Sequence, residues 1–332
     1  MRSFILLLLL TLVAPAVRST AAQPNVEKIW SQGGHNAFTD LIRFQDRWLC
    51  TFREGDGHVS SRGSVRVLVS DNGKAWRSGA LLTEAGIDLR DPKLSVTPDG
   101  RLMMVMGGSV MENGLYIDRQ TRVSFSPNGI SWCAPIKILA PLDWLWRVTW
   151  FQGKAYGVAY RGGGGMRGIK RSAALYMSED GLAWKRITSL DLPGGSETTL
   201  RFLDDGEMIA LSVDMRTRPR ATRIGSSRPP YASWKWQDVA FAIGGPNFLI
   251  LPNGEWLAGC RYYGPDNSHA KTVLATMTRN SLTPVMTFPS GGDNSYPGMV
   301  LHNSELWMSY YSSHEGKTNI YLTRVPLPLS KE

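Results

Sequence analysis

The sequence predicts an all-β fold, a six-bladed β-propeller closed by an N-terminal strand in its last blade. Three observations carry the prediction. A tryptophan-ending turn recurs every fifty-odd residues, a series of strand–turn–strand segments keeps the same period, and the composition suits turns and strands.

The turns come first. "SDNGKAW" (70–76), "SPNGISW" (126–132) and "SEDGLAW" (178–184) share the pattern Ser-x-Asn/Asp-Gly-x-x-Trp. Trp76, Trp132 and Trp184 are 56 and 52 residues apart, and the same step leads on to Trp236 and then to a decayed copy at Phe288. Each turn follows an alternating strand ("SVRVLVS", "TRVSFS", "SAALYMS") and reads as a hairpin in which Asn/Asp and Gly supply the tight backbone. Between the turns lie six strand–turn–strand segments. Their second strands are marked by Trp48, Leu102, Ala155, Met208, Trp256 and Leu306, at steps of 48 to 54 residues. Six equal periods fit four-stranded blades and exclude two stacked sandwiches. The sixth blade lacks one strand, which "NVEKIW" (25–30) can supply, removing the exposed edge.

The chain opens with a positive start, an apolar run from Phe4 to Val17 and small residues at Thr20 and Ala22. That run is shorter than the ~20 residues a membrane span needs, so residues 1–22 read as a secretory signal peptide. Residues 23–332 are then a single propeller domain, secreted or periplasmic, with no membrane span and expected as a monomer. The net charge of +9 falls to +7 without Arg2 and Arg18. In an exported protein, that balance points to acidic glycans as partners and not to nucleic acid. Cys50, Cys133 and Cys260 form no paired framework and no metal-type spacing, so no cofactor or metal is expected. Cys50 and Cys260 read as small buried hydrophobes.

Propeller topology sorts the loops. If each inner strand starts at the top, the tryptophan turns face the bottom and are structural. The polar residues at the mouths of the inner strands line a central funnel. They are His35 and Asp40, Arg90 and Asp91, Arg147, Glu197, Asn247 and Tyr296, one set per blade. The ends of the second strands add Arg53, Glu54, Asp56, His58, Arg161, Arg216, Arg261, Tyr262, Tyr310, Tyr311 and His314. Arginines outnumber lysines there, and a planar guanidinium fork suits a carboxylate.

With these residues placed, the chain resembles the sialidase (neuraminidase) superfamily, six-bladed propellers whose bottom turns carry Asp-boxes. The three turns look like that box with one residue deleted before the glycine. "SETTLRFLDDGEM" is similar to the opening of the family's fourth blade and puts Glu197 in place of its glutamate. "SYPGMV" resembles the opening of its sixth blade and puts Tyr296 in place of its tyrosine. "RDPKLSV" resembles its second blade, and "REGDGHVSSRGS" occupies the loop of the family's acid/base aspartate, where Asp56 and His58 are available.

The resemblance implies an exo-acting, retaining glycosidase for a terminal acidic sugar. A carboxylate nucleophile is repelled by the sugar's own carboxylate, so a tyrosine attacks with help from a glutamate. It implies Tyr296 as nucleophile, Glu197 as its base, and Asp56 or His58 as acid/base. Arg53, Arg90, Asp91, Arg147, Arg261 and Asp40 would bind substrate. The chain departs from the family at its carboxylate-binding arginine triad. Ala37, Phe38 and Thr39 stand at the first position, Val213 at the second, and His269 and Lys271 near the third. Those departures favour the alternative, a non-catalytic glycan- or protein-binding propeller; a lyase or another keto-sugar hydrolase is a third reading. "YRGGGGMRGIKRS" (160–172) lacks the ending of a phosphate loop and reads as a top-face loop of blade three. The basic stretch 216–231 lacks the aromatic interleaving of a single-strand binder.

Overall fold

The computed structural model describes residues 24–329, except 114, 163–167, 193, 216–220 and 265–268. The expected signal peptide and Arg216 lie outside the described residues. The described chain forms six four-stranded antiparallel sheets and contains no helix. The inner strands are His35–Phe44, Asp88–Val96, Trp144–Phe151, Gly195–Phe202, Ile243–Ile250 and Asn294–His302. Each packs against the inner strand of the next blade, and the last packs against the first, which closes a ring around a central axis. The fold is the expected six-bladed propeller. Its closing strand, Val26–Trp30, pairs antiparallel with Asn319–Pro326 as the outer strand of blade six.

The core is divided as a propeller requires. Five apolar clusters each fill the space between two consecutive blades. A sixth joins blades six and one and reaches the axis through Trp144 and Trp146. At that joint Trp48 and Trp307 stack with centroids 4.0 Å apart and planes 17° from parallel. Inner strands are buried on both faces, which is why they read as near-continuous buried runs.

The three tryptophan turns share one hydrogen-bond pattern. The serine Oγ accepts the glycine N–H, the Asn/Asp Oδ1 accepts two backbone N–H groups, and the indole donates back to the glycine carbonyl. The fourth copy is shifted from the expected Trp236. Trp234 donates to the carbonyl of Tyr231, and Tyr231 holds the left-handed φ of 65° that glycine holds elsewhere. The Pro229–Pro230 turn is one residue longer than the others, but its Ser227 comes only 49 residues after Ser178, so the tryptophan arrives two positions early. In blade five, Thr278 and Asn280 keep the polar half of the turn. Phe288 is not a copy of the plug but fills the core between blades five and six.

Gly298 marks the tightest approach between blades. A Cβ there would lie 2.1 Å from the backbone nitrogen of Leu41 on blade one. Neither backbone can retreat, because both strands are paired within their own sheets. Gly298→Ala is therefore expected to lose at least ~3 kcal/mol in urea unfolding. Gly100→Ala, at a φ of 79° but facing open space, should lose only ~1 kcal/mol. Equal losses would contradict this account of the blade joint.

Candidate functional site

The funnel is built by one device used six times. In every blade the inner strand sets two residues against one on the second strand, a β-bulge at the same height. The bulged pairs are Phe38–Thr39, Asp91–Pro92, Trp146–Arg147, Ser196–Glu197, Gly245–Pro246 and Tyr296–Pro297. The extra residue kinks the strand and re-aims its side chains towards the axis. Phe38 (φ 66°), Asp91 (φ 50°), Gly245 (φ 58°) and Tyr296 (φ 52°) take left-handed backbone there. For the three non-glycines this is strain of the kind that packing must hold in place.

These bulges bring Glu197 and Tyr296 together across the funnel. The Tyr296 hydroxyl donates a hydrogen bond to Glu197 Oε1. The other carboxylate oxygen accepts the Gly245 N–H at 2.6 Å. Gly245 lies between them in sequence for a steric reason: a Cβ there would meet the Tyr296 ring at 2.6 Å. The Tyr296 ring packs edge-on against Phe38 and Trp146, with the Arg261 guanidinium 5.4 Å from its centroid. Burial, then the charge of Glu197, push the phenol well above its ordinary range. Tyr296 is therefore a neutral phenol hydrogen-bonded to Glu197.

Above the pair lies a cavity of about 240 Å³. Of the residues expected from the sequence, Tyr296, Glu197, His58, Arg90, Asp91 and Arg261 line it. Asp91 is buried and its Oδ1 has no hydrogen-bond partner among the described residues. Burial raises its carboxyl above the usual range, against the opposing pull of Arg90 and Lys93. Arg90 donates to the His58 carbonyl, to Asp88 and to the Tyr116 hydroxyl.

The other expected residues lie elsewhere. Arg53 is fully buried and holds Asp88 at 2.7 Å and the Gly57 carbonyl at 2.8 Å. Arg147 and Asp40 pair with each other beneath the floor, at 3.0 and 2.9 Å. All three stay off the cavity wall because their charges are already matched inside the fold. Asp56 is exposed and does not line the cavity. Tyr310 turns outward to the Pro289 carbonyl, and His314 packs on Tyr321.

Asp293, passed over in the sequence, organises the blade-six side. Its Oδ1 accepts from Arg261 at 3.0 Å and from Tyr311 at 2.9 Å. Its Oδ2 faces His58 Nδ1 at 2.5 Å and His35 Nε2 at 3.2 Å. Hydrogen bonds from the two histidines and the charge of Arg261 hold the carboxyl far below its usual range, against its burial. With Nδ1–H given to Asp293, His58 keeps Nε2 for a ligand, a tautomer assigned from this network. His35, His58 and Asp293 are also the one described cluster with metal-ligand chemistry, their donor atoms lying within 4.8 Å of one another. Arg119, Arg171, Tyr116, Trp144 and Tyr160 also line the cavity; Tyr160 and Arg171 belong to the glycine-rich stretch 160–172, and no motif marks the other three.

Known structures agree on the fold. A crystal structure of a protein of unknown function from Dyadobacter fermentans superposes with a TM-score of 0.78 at 18% identity, covering 91% of this chain and 99% of that one. A Trypanosoma rangeli sialidase captured with 2,3-difluorosialic acid as a covalent intermediate gives 0.65 at 11% identity, covering 88% of this chain and 54% of that one. The NanB sialidase of Streptococcus pneumoniae gives 0.65 at 11%, covering 89% and 69%. The chain thus has the sialidase-like propeller fold and spans about half the length of the trypanosomal enzyme. No protein-family model and no curated protein sequence matches it. No helix of the described residues is long and apolar enough to cross a membrane.

Beneath the floor, Lys93 Nζ sits 5.0 Å from the Trp146 ring and 5.9 Å from the Tyr296 ring, and bonds the carbonyls of Thr39 and Pro92. Burial lowers its ammonium from 10.5 to about 8. The unfolded chain then keeps this proton through a window in which the folded chain releases it. Stability should rise with pH between about 8 and 10.5 on account of Lys93. In Lys93→Met this rise should shrink by up to about 3 kcal/mol, measured by urea unfolding across that range. Parallel curves for the two proteins would contradict it.

Proposed function

We propose that the chain is an exported, exo-acting, retaining glycoside hydrolase of the sialidase type, acting on a terminal acidic sugar. The observation that carries this reading is the Tyr296–Glu197 hydrogen bond at the floor of the cavity. The likeness to sialidase structures and the leader-like residues 1–22 support it.

The chemistry follows from the groups present. Tyr296 Oη attacks the anomeric carbon while Glu197 Oε1 takes the phenolic proton, so no free phenolate has to exist in the buried site. The glycosidic C–O bond breaks, and His58, protonated on Nε2, gives that proton to the leaving oxygen. The Asp293 carboxylate stabilises the imidazolium. In the second half, His58 removes a proton from water, which attacks the anomeric carbon. The tyrosine leaves and recovers its proton from Glu197. His58 is preferred to Asp56 because it lines the cavity and is oriented by a carboxylate. Asp91, with its raised carboxyl and unpartnered oxygen, is placed to bind a sugar hydroxyl.

A second reading, a glycan-binding propeller without catalysis, draws on the triad positions, where Phe38 and Val213 are buried apolar residues. Kinetics with an aryl sialoside and a natural disaccharide separate the two. Tyr296→Phe should lower kcat at least ~10³-fold on both. In kcat/KM, which reports the first half of the reaction, His58→Ala should cost ~10²-fold on the disaccharide but only a few-fold on the aryl glycoside, whose leaving group needs little protonation. Near-wild-type turnover by Tyr296→Phe, or no turnover of any acidic glycoside by the wild type, would sink the hydrolase reading.

A further inference from the structure

The arginines around the funnel divide into two kinds. Arg53 and Arg90 are matched by Asp88, Arg122 by Glu84, Arg147 by Asp40, Arg161 by Asp143 and Arg261 by Asp293. Arg119 and Arg171 line the same cavity, yet neither forms an ion pair with any described acid. The carboxylate whose charge bears on Arg119 is that of Asp143, which is already bonded to Arg161 and Tyr176.

Arg119 is fixed rather than loose. It is 7% exposed, and its guanidinium lies 5.5 Å from the Trp144 ring and 5.3 Å from the Tyr160 ring. Nε donates to the Leu142 carbonyl at 3.3 Å and Nη2 to the Gly162 carbonyl at 3.0 Å. Both acceptors are neutral, and Nη1 makes no hydrogen bond among the described residues. Arg171 is half-buried, makes no hydrogen bond of its own among the described residues, and its like charge bears on Arg119. Tyr160, Gly162 and Arg171 all belong to the glycine-rich stretch that the sequence left without a role. Two adjacent, unmatched guanidinium groups in a partly dry wall are costly unless an anion joins them. Their planar donors suit a flat or tetrahedral oxyanion.

We propose that Arg119 and Arg171 form an oxyanion-binding subsite on the blade two–blade three wall, which takes the carboxylate or sulfate of the bound sugar. This rests on the reading of the cavity as a sugar site. It places the anion on different blades from the triad positions, which hold Ala37, Phe38, Thr39 and Val213 here. It also places the anion away from the Asp293 cluster, whose arginine is already matched.

The test is calorimetric titration at constant ionic strength with two matched pairs. They are N-acetylneuraminic acid against its methyl ester, and N-acetylglucosamine 6-sulfate against N-acetylglucosamine. Wild type should bind the charged member of one pair at least ~10-fold more tightly, and that pair identifies the oxyanion. Arg171→Gln, at a half-buried site, should remove most of the preference and leave the neutral member's affinity unchanged. Arg119→Gln should do the same. No charged preference in wild type for either pair, or a preference that survives in both variants, overturns the subsite. Tyr296→Phe should keep the preference. A preference that depends on the arginines in a protein without turnover would leave the subsite standing while the hydrolase reading fails.

Discussion

The site depends on a backbone constraint: six inner strands must enter a narrow ring, and each does so through the same two-against-one bulge. A regular strand would send alternate side chains into the two flanking blade interfaces. The bulge breaks that alternation at one height and turns a ring of side chains towards the axis. Tyr296 and Glu197 come from blades two apart, and they meet because both sit on this ring. The left-handed backbone at Phe38, Asp91 and Tyr296 is the local cost, held by packing on Trp146, Tyr311 and the neighbouring blades.

Electrostatics then divide the funnel by depth and by side. Beneath the floor, Arg147 and Asp40 neutralise each other and Lys93 is driven towards its neutral form. At the floor, a neutral phenol is bonded to a carboxylate. On the blade-six side, Asp293 gathers Arg261, Tyr311 and two histidines around one carboxylate. On the opposite wall, Arg119 and Arg171 form no ion pair with any described acid.

The sequence carried the fold because propeller turns are local. Seven residues from Ser70 to Trp76 contain the whole hydrogen-bond pattern of the turn, so the repeat is visible without any long-range information. The fourth copy slips because a shorter stretch between Ser178 and Ser227 outweighs one extra residue in the turn and brings the tryptophan in early. Glu197 and Tyr296 were legible through the residues around them. Which arginines face a ligand was not, because that depends on partners far away in the chain. Arg53 meets Asp88 35 positions on, and Arg147 meets Asp40 107 positions back. Asp293 carries no motif, and its importance comes entirely from residues on blades one, five and six.

The central claim is that Tyr296 forms the bond to the sugar. The most direct measurement is mass spectrometry of the intact and digested protein after incubation with a 2,3-difluorosialic acid, whose fluorines slow release of a covalent glycosyl-enzyme. The account predicts a single adduct, located on the peptide that contains Tyr296 and missing from Tyr296→Phe. An unmodified protein, or an adduct on any other residue, would contradict it.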